Sequence, residues 1–189
     1  SGGTCTTSWT LRNLPASSRA PFVYVKNGDV PFLAATTYAS EGEALATLLK
    51  QFNPSGDPQL TTLAESLTEG EKKDEDKLEA ILEYTTNHIA NNGLTLDQTG
   101  YRLRPADAVM STAYGTEVKK ANLLAGLLDG AGFKAEPMAT YQAYADKGLA
   151  LKAVDQLFVS CMVNGELYLF STSSTHRPQT VNFDQTPLF

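Results

Sequence analysis

From residue 40 onward apolar positions recur every three or four residues, and after Phe133 the period shortens to two. The first spacing is that of a helix with one buried face, the second that of a strand. Ser40-Glu41-Gly42-Glu43 has the Ser-x-x-Glu spacing of a capping box, in which hydroxyl and carboxylate satisfy free backbone donors at a helix start. Leu45, Leu48, Leu49 and Phe52 then share a face, and Asn53-Pro54 ends the run. A second short helix is predicted from Pro58, with Leu60, Leu63, Ala64 and Leu67 on one side and Gly70 behind it. A third begins near Asp74 with an acidic first turn. Its stripe is Leu78, Ile81, Leu82, Thr85 and Ile89, and Asn91-Asn92-Gly93 ends it. Arg104-Pro105-Ala106-Asp107-Ala108-Val109 suggests a helical turn, and Tyr114-Gly115 leads into the most apolar helix of the chain. There Val118, Ala121, Leu124, Ala125 and Leu128 line one side, with Leu123 and Leu127 alongside. The small Ala121, Ala125 and Gly126 suit close packing, and Gly130 and Gly132 close the helix.

The strand pattern runs from Phe133 to Tyr141, and again from Leu157 to Val163. Asn164-Gly165 is a two-residue hairpin signal, since both residues tolerate positive φ, and Leu167 to Phe170 return as the partner strand. Helices first and an antiparallel sheet afterwards make an α+β layout, a helical N-terminal part packed on the sheet. Residues 1–39 are rich in Thr, Ser and Pro, with extended-looking runs at Phe22-Val23-Tyr24-Val25 and Pro31-Phe32-Leu33-Ala34. They read as an extended N-terminal arm, with Trp9 as its packing anchor, ahead of a domain over 40–189.

Composition narrows the function. The 189 residues are 42% hydrophobic and 19% charged, enough apolar material for a core and too little charge for a disordered chain. The formal net charge of −6 argues against nucleic acid, because there is no basic excess to release counterions from phosphates. No apolar stretch has the length of a membrane span. Cys5 and Cys161 stand at opposite ends of the chain without metal-ligand spacing, and Cys161 inside an apolar strand reads as a small buried thiol. The disulfide state of the two is left open. No Gly-rich phosphate loop, no paired His or Cys and no Gly-x-Ser-x-Gly elbow is present, so neither a cofactor nor a metal is expected. His88, late in a helix, and His176, in a polar tail, read as surface or helix-end histidines.

One constellation carries more. Arg104 to Val109, then Tyr114-Gly115-Thr116-Glu117-Val118-Lys119-Lys120-Ala121-Asn122-Leu123-Leu124, then Ala131-Gly132-Phe133-Lys134-Ala135 resembles the core of the transglutaminase-like superfamily. That family shows an Arg-Pro approach, a Tyr-Gly-Asp-Cys-Lys-Asp-Lys-Ala segment, a Leu-rich helix and an Ala-Gly turn into a strand. The resemblance covers residues 8–175 and is greatest to the bacterial envelope type, found between β-rich domains. It implies a transglutaminase-like or papain-like cysteine-proteinase fold, and a periplasmic or cell-surface setting.

It also implies a catalytic Cys at a helix N-terminus, a His base on a facing strand, and an Asp that orients the His. Matched residue by residue, those positions fall on Glu117, Gln156 and Ser171. A carboxylate is a poor acyl-transfer nucleophile, an amide takes no proton, and a serine does not stabilise an imidazolium. The expectation is therefore a non-catalytic domain, a binding or structural module with a degenerate triad. Its old cleft, with Tyr114, Glu117 and Gln156 as ligand-binding candidates, would hold a peptide, a glycan or a neighbouring domain of the same protein. The alternative is a surviving cysteine peptidase or acyltransferase built around Cys161, or a carboxylate hydrolase pairing Glu117 with Asp107 or Asp155.

Overall fold

The computed structural model describes residues 6, 8–13, 36–52, 57–141, 151, 154–172 and 179–180, without the side chains of Thr140, Tyr141, Asp155, Gln156, Gln179 and Thr180. The runs expected to be strands at 22–25 and 31–34, the Asn53-Pro54 stop, Cys5 and His176 lie outside these residues. The chain divides into two compact units, Ser1–Ala35 and Thr36–Phe189. In the first, Trp9 is 59% exposed, so it is not the packing anchor its size suggested.

The second unit is built around a helix that is buried on every side. Its helices are α1 (Glu41–Leu49), α2 (Pro58–Leu67), α3 (Asp74–Asn87), α4 (Ala106–Thr112) and α5 (Glu117–Gly130). Its strands are β1 (Ala90–Asn91), β2 (Tyr114–Gly115), β3 (Ala135–Tyr141), β4 (Val154–Val163), β5 (Glu166–Phe170) and β6 (Gln179–Thr180). From Ala121 to Leu128 no residue of α5 reaches solvent appreciably. A helix apolar all round has to be surrounded. Accordingly α5 packs against α2, α3 and α4 on one side and against β3 and β4 on the other.

The caps follow local chemistry. Ser40 accepts from the Glu43 amide, and the Glu43 carboxylate reaches back to the Ala39 amide rather than to Ser40 itself. Asp57 caps α2 ahead of a proline at its first position, and Thr116 caps α5. At the far end of α5 the Phe133 amide donates to Leu128 O and the Gly132 amide to Asp129 O. That pair of bonds, with Gly132 at φ +89°, is a Schellman stop. Gly130 has a different role. A Cβ built there would sit 3.0 Å from Thr61 Cα and 3.3 Å from Ala64 Cβ, so it is the point where α5 touches the α2 backbone.

The four-stranded sheet has the order β3-β4-β5-β6 and is antiparallel throughout. Asn164 (φ +54°) and Gly165 (φ +85°) turn β4 into β5, as the dipeptide predicts. The alternation places Leu157, Val159, Cys161 and Val163 in the core and leaves Met162 56% exposed. β4 begins three residues earlier than its apolar run, and a bulge where it pairs with Tyr141 absorbs Asp155. β6 has no hydrophobic signal at all; Gln179 and Thr180 are recruited by backbone pairing to Leu169 and Tyr168.

The main departure from the pattern lies after α3. The helix stops at Asn87 with His88 as its C-cap, four residues short of the Asn91-Asn92-Gly93 stop. Ala90 and Asn91 then pair in parallel with Tyr114 and Gly115, through Ala90 N to Ala113 O (2.9 Å) and Asn92 N to Gly115 O (3.1 Å). Ile89, which completes the predicted stripe, is still buried. Tertiary pairing has replaced one helical turn.

Two substitutions test this packing by chemical denaturation. Gly130→Ala forces a methyl against the α2 backbone and is expected to lower stability by about 1–3 kcal/mol. Ala113 ends α4 in the left-handed region at φ +54°, so Ala113→Gly relieves strain and is expected to raise stability by roughly 1 kcal/mol.

Candidate functional site

A pocket of about 210 Å³ opens at the N-terminus of α5. Its floor is Glu117 and Val118, one wall is the loop from Asn91 to Leu96, and the other is the start of β4, through Val154 and Leu157. The short β1-β2 pairing creates this arrangement, because it delivers the loop beside the first turn of α5. Gly115 allows the close approach, since a Cβ there would lie 3.1 Å from Lys119 Cβ. The loop is held by its own turns. Asn91 Oδ1 accepts from Gly93 N at 3.0 Å, Asn92 Oδ1 from Leu94 N at 3.2 Å, and Gln98 Oε1 from Thr95 N at 3.0 Å. The Thr95 hydroxyl donates to the Asp97 carboxylate.

Glu117 is the first residue of α5 and is exposed. A carboxylate there complements the helix dipole, worth roughly 0.3–1 kcal/mol. The Thr172 hydroxyl donates to Glu117 O at 3.0 Å, which fastens the chain just past β5 to the same turn. Ser171 is therefore adjacent to a residue in contact with Glu117. Gln156 lies on β4 opposite Thr140, between the pocket residues Val154 and Leu157 in sequence. Its side chain is outside the described residues. Tyr114, 47% exposed, is not among the lining residues. Its ring carries the Arg104 guanidinium 5.0 Å from the centroid. Arg104 also donates to Ala108 O and Thr112 Oγ1, so it braces the end of α4 against β2.

Cys161 is a free thiol in the core, on the face of β4 that packs towards α5, and burial pushes its pKa up to about 11. A thiol in that state is almost wholly protonated at neutral pH and is a weak nucleophile. His88 is exposed and stacks on Tyr84 with ring centroids 5.1 Å apart. Asp107 is exposed on α4 and does not line the pocket. Among the described residues no group of three or more His, Cys, Asp or Glu side chains is placed to hold a metal ion, and no helix is long and apolar enough to cross a membrane.

Sequence reasoning missed two features of this site. Asn91 to Leu96 reads as a helix stop and a polar loop, and nothing local says that it walls a pocket. Lys120 enters the sequence reading only as one position of the quoted segment, with no role of its own. It is only 3% exposed, and its ammonium donates to Thr86 O on α3 at 3.4 Å. Desolvation lowers its pKa, and the nearby Glu117 charge partly opposes that shift.

Comparison with known proteins locates the fold. No family model matches the chain, and no curated protein matches it. Among solved structures it is similar to a “putative protease” from Parabacteroides distasonis ATCC 8503, with 30% identity and a TM-score of 0.69. The match covers 94% of this chain and 38% of that one, so the chain spans well under half of that protein's length. It also matches a “putative cysteine protease” from Cytophaga hutchinsonii, with 18% identity over 70% of this chain and 43% of that one, at a TM-score of 0.49. The mixed helix-and-sheet fold of this chain is thus shared with a protein described as a “putative protease”.

The buried Lys120 yields a pH test. Its folded-state pKa lies below the ordinary value of about 10.4, so in the window just beneath that value the unfolded chain binds more protons than the folded one. Stability attributable to this group therefore rises with pH there. Lys120→Met should abolish that rise. The difference between wild-type and variant unfolding free energies, measured from pH 7 to 10, isolates it from the tyrosines that titrate nearby.

Proposed function

We propose that this chain is a transglutaminase-like domain that has lost its thiol chemistry and serves as a binding module through the pocket at the start of α5. The observation that carries this reading is Glu117 at the first position of α5. That is where the resemblance puts the nucleophile, and there it sits at the floor of a pocket. Among the described lining residues there is no thiol and no imidazole, and the one hydroxyl, that of Thr95, is bonded to the Asp97 carboxylate within the loop rather than standing at the start of α5. The described cysteine is buried, with its proton held more tightly than usual. The likeness to a protein described as a “putative protease” supports descent from a peptidase scaffold, while fold alone supports no activity. A role as a mere spacer is disfavoured by the pocket itself, which a spacer has no reason to keep. An exported setting, in the periplasm or at the cell surface of a bacterium, belongs to the same proposal and rests on the resemblance.

Alkylation tests it. At pH 7.5 the native chain is expected to take up iodoacetamide slowly at Cys161, as mapped by peptide mass, and to leave casein uncut. Glu117→Cys is expected to gain a thiol that alkylates at least about ten-fold faster than Cys161, because the N-terminus of α5 lowers its pKa. Casein cleavage by the native chain, or rapid alkylation of Cys161, would sink the proposal.

A further inference from the structure

The pocket carries a charge at its floor. Among the described lining residues only Glu117 is ionisable, and Leu94, Leu96, Val118, Val154 and Leu157 contribute aliphatic side chains. Each of its two polar neutral side chains makes one hydrogen bond within the loop, Asn91 Oδ1 accepting from Gly93 N and Thr95 Oγ1 donating to the Asp97 carboxylate. The Glu117 carboxylate has no hydrogen bond or ion pair among the described residues. Lys120, the cation one turn along, directs its ammonium away to Thr86 O on α3. The pocket therefore offers an acceptor-only anion beside aliphatic side chains.

That chemistry sorts ligands. A carboxylate or phosphate would meet Glu117 with like charge. A neutral aliphatic chain would fill the walls but strip water from the carboxylate without replacing it. An aliphatic stem ending in an ammonium satisfies both parts, the stem lying on Leu94, Val118 and Leu157 and the head at Glu117. The volume of about 210 Å³ is below the ~300–1,000 Å³ of small-molecule sites and suits a single side chain.

We infer that the pocket takes the side chain of a lysine in a bound peptide, with Glu117 as its counter-ion. This rests on the binding reading above and names the ligand class of that site.

The test is an amide-resolved NMR titration of the whole chain with four probes: Nα-acetyl-lysine methylamide, pentylammonium, pentanol and pentanoate. The acetyl-lysine amide and pentylammonium are expected to shift the Gly93, Leu94 and Val118 amides saturably. Pentanol should bind about five-fold more weakly, the scale of an exposed ion pair, and pentanoate should leave the amides unmoved. Glu117→Gln should bring pentylammonium down to the level of pentanol without weakening pentanol. Equal binding of pentanol and pentylammonium would overturn the lysine assignment and leave the binding module standing. Pentylammonium binding without the acetyl-lysine amide would likewise overturn a peptide lysine in favour of a free amine. If no probe moves these amides, the binding reading falls with it.

Discussion

Burying α5 on every side removes Leu123, Leu124, Leu127 and Leu128 from water completely, at roughly 1.5–3 kcal/mol for each large apolar side chain. The same requirement sets the position of each neighbour. Leu60 and Ala64 of α2 meet the end of the helix where Gly130 leaves room, and Val109 of α4 comes within reach of Gly115 ahead of its start. Val159 and Cys161 of β4 are buried on the core side of the sheet. The polar groups drawn into this core are each satisfied. Asn122 donates to Arg104 O, Thr85 to Ile81 O and Lys120 to Thr86 O, and no buried side-chain polar atom among the described residues lacks a partner.

A helix enclosed in this way has to surface somewhere, and the N-terminal end of α5 is where it does. Thr116 is buried as the cap, while Glu117 one residue later is exposed. Around that exit the chain gathers three distant segments: the loop after β1, the start of β4 and the residues just past β5. Each is held by a backbone or side-chain bond to a neighbouring element, and those bonds set the walls of the pocket. The same geometry suits a helix-terminal thiolate in proteins that carry one. With a carboxylate in that place it suits a cation.

Lys120 shows how a charge is tolerated beneath such a site. Its ammonium is nearly out of solvent and has one long hydrogen bond, to Thr86 O, and the negative charge of Glu117 one turn earlier offsets part of the desolvation. The two residues are linked electrostatically while facing different ways, one towards α3 and the other towards the pocket.

Local pattern was enough to place the helices, the Asn164-Gly165 hairpin and the carboxylate that opens α5, because caps, helical spacing and turn residues act over a few positions. Alternation likewise predicted that Cys161 would be buried. Long-range pairing was invisible to it. The early end of α3 and the strand at Ala90–Asn91 exist because Tyr114 and Gly115, more than twenty positions away, offer backbone partners. β6 likewise depends on β5 and has no apolar signal of its own. The pocket belongs to the same category. The sequence alone determined that a carboxylate would stand at the start of a buried helix. Only the tertiary structure decided that Leu94, Val154 and Leu157 would stand around it, since side chains this far apart in the chain are brought together by backbone pairing and by the closing of the core.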